Sequence, residues 1–173
     1  MNTTSILILG LLLVFLWGFS DYNRFVEHKR QVEETWKAIH AWLKKRHALI
    51  QTLVGPARND PLGETVLRHH AAAIHARNRP ERIQAETVLE DVLKQWQAAH
   101  AVGGSVPYPN PRRQLDFVEH QLTLARRCYN RMVYWNNFYV KRFPSNLIAA
   151  LLGFREGPFY GNGESGPCEA RDS

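Results

Sequence analysis

With 173 residues, five Trp and 45% hydrophobic composition, the chain bounds to one domain, with room for an appendage, and can bury a core. Two cysteines, Cys128 and Cys168, exclude a disulfide framework and offer no metal-ligand spacing. The net charge of +6 favours an acidic partner (anionic lipid headgroups, nucleic acid or an acidic protein) or marks a solvated basic surface.

Residues 6–19 carry no charge. From Thr3 to Phe19 a helix covers about 25 Å, slightly short of the ~30 Å bilayer core, and Tyr22 and Phe25 extend it. The leader lacks Lys and Arg, residues 17–20 make a poor cleavage site, and no Cys follows for lipoprotein processing. An uncleaved anchor over 1–20 is expected. Arg24, Lys29, Arg30 and Lys37 flank only its C-terminal side, which places the N-terminus outside and the domain in the cytoplasm, as for a single-pass protein of a bacterial inner membrane.

Residues 22–54 predict one long helix. Positions 22, 25, 29, 32, 36, 39, 43, 46, 50 and 53 alternate spacings of three and four, and all but Lys29 and Arg46 are apolar. Gly55-Pro56 and Asn59-Asp60-Pro61 end it. A weaker helix spans 62–78, with Leu62, Val66, His69 or His70, Ala73 and Ile74 as its inner residues. Asn78-Arg79-Pro80 breaks the chain, Pro80 standing near the next N-terminus. A third helix spans 81–100, carrying Ala85, Val88, Leu89, Val92, Trp96 and Ala99. Gly103, Gly104 and prolines at 107, 109 and 111 mark a loop. The fourth helix, 112–142, repeats the three-four stripe at 115, 118, 122, 125, 129, 132, 136 and 139 and stops at Pro144. A short apolar segment, 147–154, follows, and the tail from 157 on reads as disordered.

No β pattern of useful length appears. The expected fold is all-α: an N-terminal transmembrane helix continuing into an antiparallel up-and-down bundle of two long and two shorter helices over 21–156. In such a bundle the fourth helix returns to the membrane at Phe143-Pro144. Residues 147–154 then either lie in the interface or fold under the bundle as a cap.

The stretch "YNRFVEHKRQVEETWKAIHAWLKKRHALIQTLV" resembles the opening of the LemA family, matching at Tyr22, Asn23, Val26, Val32, Trp36, Ile39, Leu43, Arg46, Leu49, Ile50, Leu53 and Val54. "ARRCYNRMVYWNNFYVKRFPSNLIAALLGF" resembles its closing signature, matching at Ala125, Arg126, Tyr129, Asn130, Val133, Asn136, Phe143, Pro144, Ser145, Asn146, Ala149, Gly153 and Phe154. The chain departs from the pattern at Ala48, Gln51-Thr52 and Trp135. The resemblance implies a membrane-anchored, mostly helical protein with no established enzymatic activity, of a family placed near membrane biogenesis, magnetosome formation or membrane proteases.

The residues themselves offer little catalytic chemistry. Eight histidines invite a metal, but no Glu is followed by His three residues on, and His-Glu-x-x-His is absent. Residues 161–166 fit G-x-G-x-x-G without the strand and helix that give that motif its function. Cys128, on a helix, reads as a small packed residue. Arg126, Arg127 and Arg131, with Tyr129 and Tyr134 nearby, form a basic patch, read as a solvated face, so no nucleic acid is expected. No catalytic residue and no cofactor are assigned.

Asn23, Asn130 and Asn136 sit in long helices that disfavour asparagine, which predicts interhelical hydrogen bonds, with plain exposure the alternative for Asn23 and Asn130. Tyr22-Asn23-Arg24-Phe25-Val26 and Tyr129-Asn130-Arg131-Met132-Val133 then read as two faces of one lock. Antiparallel facing residues of the two long helices sum to about 165, within one helical turn. This sets Tyr129 on Trp36, Leu122 on Leu43, Asn136 on Lys29, and Glu119 on Arg46 as a partly buried, register-setting pair. The functional expectation is a non-catalytic scaffold or adaptor at the lipid bilayer and its anionic headgroups, with a membrane-protein partner or a second copy as further candidates. The alternative is an adaptor of a membrane protease or envelope-stress pathway.

Overall fold

The computed structural model describes residues 3–57, 60–100 and 110–161. Five helices build it: α1 (Thr3–Val54), α2 (Pro61–His75), α3 (Arg79–Ala99), α4 (Pro111–Lys141) and α5 (Ser145–Leu152), with a 3₁₀ turn at Gly55–Ala57. No strand occurs among the described residues.

The helix starts are chemically explicit. Asp60 accepts from the Gly63 amide, Asn78 from Glu81, and Asn110 from Arg112, and each is followed by a proline in the first turn of its helix. The side-chain oxygen satisfies an amide with no intrahelical partner, and proline has no amide there to strand. The Asx-Pro breaks are thus N-caps as well as stops. At the far end Gly153 takes φ 72, the left-handed region that closes α5.

α1 and α4 run antiparallel: Trp36 packs on Tyr129, Trp42 on Phe117 and His28 on Tyr139. α2 and α3 form a hairpin on the half of this pair remote from the apolar N-terminal segment of α1. One core cluster there joins Ile50 and Val54 to Val66, Ala73, Leu89, Leu93, Trp96 and Leu115. Another joins Val32, Trp36, Ile39 and Leu43 to Ile83, Leu122, Tyr129, Val133 and Tyr160. The up-and-down order is as expected.

Four expectations fail in detail. Tyr22 and Lys29 are exposed, so the buried stripe of α1 begins at Phe25. The inner face of α3 is Ile83, Glu86, Leu89, Leu93 and Trp96, rotated from the expected set, and Val88 is exposed. Residues 157–161 are not a loose tail: Gly157 packs against Val133 and Tyr160 is buried. The segment 154–161 lies along α4 as a strap, covering core below the end of the α2–α3 hairpin. Cys128, half-buried, is disulfide-bonded rather than a plain packed thiol.

Candidate functional site

The interior between the α1–α4 pair and the α2–α3 hairpin holds a charge network. Arg46 on α1 and Glu86 on α3 are both 0% exposed and form an ion pair. Glu119 on α4, 25% exposed, completes the arrangement at 3.4 Å from the same guanidinium. The expected Arg46–Glu119 contact is present, but it is the outer and longer of two. His47 Nε2 lies 3.0 Å from the second Glu86 oxygen, and since that carboxylate can only accept, Nε2 carries the proton. His70 from α2 meets the His47 ring edge-on at 4.9 Å. Burial pushes the Glu86 carboxyl up. The His47 hydrogen bond and the Arg46 charge more than reverse this, and the group rests below the ordinary glutamate value. Every element of the bundle except α5 contributes to this one network, so it fixes axial register and rotation together.

Burial, and secondarily the neighbouring His47, holds the His70 imidazole below its ordinary value; burial and then Arg82 do the same for His40. Both are bases with depressed folded values, so around pH 6.5 the unfolded chain binds more protons than the folded one. Neutral in both states above that range, they cost nothing there, and stability falls as pH drops through it because the folded state resists protonation. Urea unfolding of the full chain in micelles is expected to show a lower midpoint at pH 5.5 than at pH 7.5. His70→Gln should flatten that difference; an unchanged pH slope in the variant would remove His70 from the account.

The asparagines serve another purpose than the sequence suggests. Asn130 Nδ2 donates to the Tyr160 carbonyl at 3.0 Å, while its Oδ1 accepts from the Tyr160 amide at 2.7 Å. Two turns along α4, Asn137 repeats this with Gly157, at 3.0 and 2.8 Å. Asn136 donates to the Arg155 carbonyl at 3.3 Å, and Tyr129 Oη–H donates to the Pro158 carbonyl at 2.8 Å. These side chains clasp the strap rather than cross-link α1 to α4. Asn136 does not meet Lys29. Asn23 and Tyr22 are exposed, so the two Tyr-Asn pentads are not mirror halves of a lock.

Arg126 is not part of a solvated patch. It pairs with Glu90 and lies over the Tyr160 ring at 4.5 Å, while Arg127 and Arg131 are exposed. Trp36 is core, sandwiched by Tyr129 and the Arg79 guanidinium at 4.7 Å. Phe143, joined to Pro144 by a cis peptide, is 74% exposed. Remote from the apolar N-terminal segment, Trp42, Leu49, Phe117 and Val118 line an open groove between α1 and α4, flanked by Lys45 and Arg113. No cluster of three or more His, Cys, Asp or Glu suited to a metal occurs among the described residues. The G-x-G-x-x-G match beyond Gly161 and the loop before α4 lie outside them.

Sequence reasoning passed over Glu86, Asn137 and Tyr160. A signal existed for the first: Glu86 holds a three-four position between Ile83 and Leu89, as Arg46 does in α1. The sequence profile of the LemA family matches residues 35–169, which leaves Tyr22, Asn23, Val26 and Val32 outside the matched span. No curated protein is significantly similar to the chain.

Proposed function

The chain belongs to the LemA family, and from that premise we propose that it is a membrane-anchored helical scaffold or adaptor, without catalysis of its own, that serves membrane organisation or biogenesis. The observation that supports the reading is the continuity of α1. A segment long and apolar enough to cross a bilayer passes without a break into the centre of the bundle. The remote groove of Trp42, Leu49, Phe117 and Val118 is thereby held at a fixed height, where an adaptor needs a docking face for a membrane-protein partner. A photo-crosslinker at Phe117, used in native membranes, is expected to capture one membrane protein in stoichiometric yield. Capture of a membrane protease would support the narrower adaptor reading. Loss of the crosslink with no partner at any expression level would remove both.

The one-sided Lys/Arg flank of the anchor supports a cytoplasmic bundle. The disulfide at Cys128 favours the opposite face, since cytoplasmic thiols are kept reduced. An impermeant amine reagent applied to intact cells separates the two. Exposed Lys44 and Lys45 are expected to stay unmodified until the membrane is broken, and modification in intact cells would assign the bundle to the outer face.

A further inference from the structure

We propose that α5 is a second membrane contact: a short helix lying in the headgroup interface beside the anchor, its rim cations set for the phosphates of anionic phospholipids. The inference rests on the anchor reading above.

The composition of α5, Ser-Asn-Leu-Ile-Ala-Ala-Leu-Leu, leaves no charge on any face. Its inner face is accounted for. Ala149 is buried, and Ile148 lies 3.9 Å from where a Cβ on Gly18 would stand. Ser145 Oγ–H donates at 2.7 Å to Asp21, a buried carboxylate. Phe154, just past the helix, stacks on Phe25 at 5.0 Å. Thus α5 is fixed against α1 between Gly18 and Phe25, where the uncharged run ends and the first charges appear. Among the described residues the outer face has no partner: Phe143 is 74%, Leu147 60% and Leu151 85% exposed, at spacings of four residues.

A helix held at that height with an apolar outer face has one covering medium that continuity with the anchor supplies, the bilayer edge. An α5 folded under the bundle would have buried Leu147 and Leu151, and it does not. The surroundings fit an interface. Tyr134 and Trp135 are exposed on the last turns of α4, the aromatic class that collects at headgroup level. Arg24, Arg142 and Arg155 are exposed around α5. None of these three has a carboxylate within ion-pair reach among the described residues, whereas Lys141 is taken by Glu156 at 2.7 Å. An apolar strip rimmed by unpaired guanidinium groups is the pattern of an interfacial helix on anionic lipid, and guanidinium binds phosphate oxygens bidentately.

The test uses the full chain reconstituted into vesicles of phosphatidylcholine, with or without phosphatidylglycerol, containing a trace phospholipid with a diazirine near the acyl carbonyl. After irradiation the labelled peptides are quantified. Labelling of the 143–154 peptide is expected at about ten times the level of α2 and α3 peptides, as for a helix buried several ångströms into the headgroup boundary. Leu151→Glu, at a site too exposed to affect folding, should reduce it about fivefold and leave the anchor peptide unchanged. The double variant Arg142→Gln/Arg155→Gln should lower labelling only in vesicles with phosphatidylglycerol. Background labelling of 143–154 beside a labelled anchor overturns the proposal and leaves the anchor standing. If neither is labelled, the anchor reading fails and takes the proposal with it. A double variant equally affected in both lipids overturns the part played by anionic headgroups.

Discussion

Glu86→Gln is expected to lower the unfolding free energy by about 3 kcal/mol, because removing one partner of a buried pair leaves the other charge uncompensated. Glu119→Gln should cost less than about 1 kcal/mol, nearer the worth of a partly exposed pair. The order follows from the geometry: Glu86 is sealed against Arg46, while Glu119 is a quarter exposed and stands 3.4 Å away. Replacing both inner partners, Arg46→Met with Glu86→Leu, should recover most of the loss, since a buried pair need not add net stability over apolar residues of similar volume. Denaturant unfolding in micelles, read by the fluorescence of buried Trp36 and Trp96, measures all three. A Glu86→Gln effect below about 0.5 kcal/mol, the size of an ordinary surface change, would show that the pair contributes little.

Asn130→Ala is the second large expected effect. The substitution strands the Tyr160 amide and carbonyl, two buried backbone groups that otherwise share one side chain. At about 1 kcal/mol per net hydrogen bond, with a penalty for each unsatisfied buried group, the loss is about 2–3 kcal/mol. Because the strap is held at its far end by Asn137 and Asn136, the loss should appear first as local opening. Hydrogen exchange at Tyr160 should accelerate about 30- to 150-fold, with little change in the α1 and α4 amides. Unchanged exchange over 154–161 would mean that the buried Tyr160 ring, not the asparagine, retains the strap.

Much of the architecture is legible because it rests on one-dimensional rules. The three-four stripes of α1 and α4, with a turn count fixing where the chain reverses, suffice to bring Trp36 to Tyr129 and Arg46 to Glu119. The failures share a cause. In α3 two overlapping stripes are each acceptable by periodicity, and the choice falls to Ile83, Glu86 and Leu93 only because Arg46 waits opposite them. The partners of Asn130 and Asn137 are backbone groups of a Gly- and Pro-bearing segment, and main-chain atoms leave no trace in side-chain pattern. The apparent repeat of the Tyr-Asn pentad misleads for the same reason: at Tyr22 no strap exists for the asparagine to hold.

Between Phe19 and Val54 α1 contains neither glycine nor proline, so anchor and bundle form one stiff rod. With the apolar segment of α1 in a bilayer, the molecule would be a lever with its fulcrum at the bilayer surface. The arm outside is about 52 Å at 1.5 Å per residue, so a change of about 10° in anchor tilt sweeps its tip through about 9 Å. Tilt is how a helix answers a change in hydrocarbon thickness. A thinner or thicker membrane would therefore move the groove around Trp42 and Phe117, about 35–45 Å along the arm, sideways by about 6–8 Å.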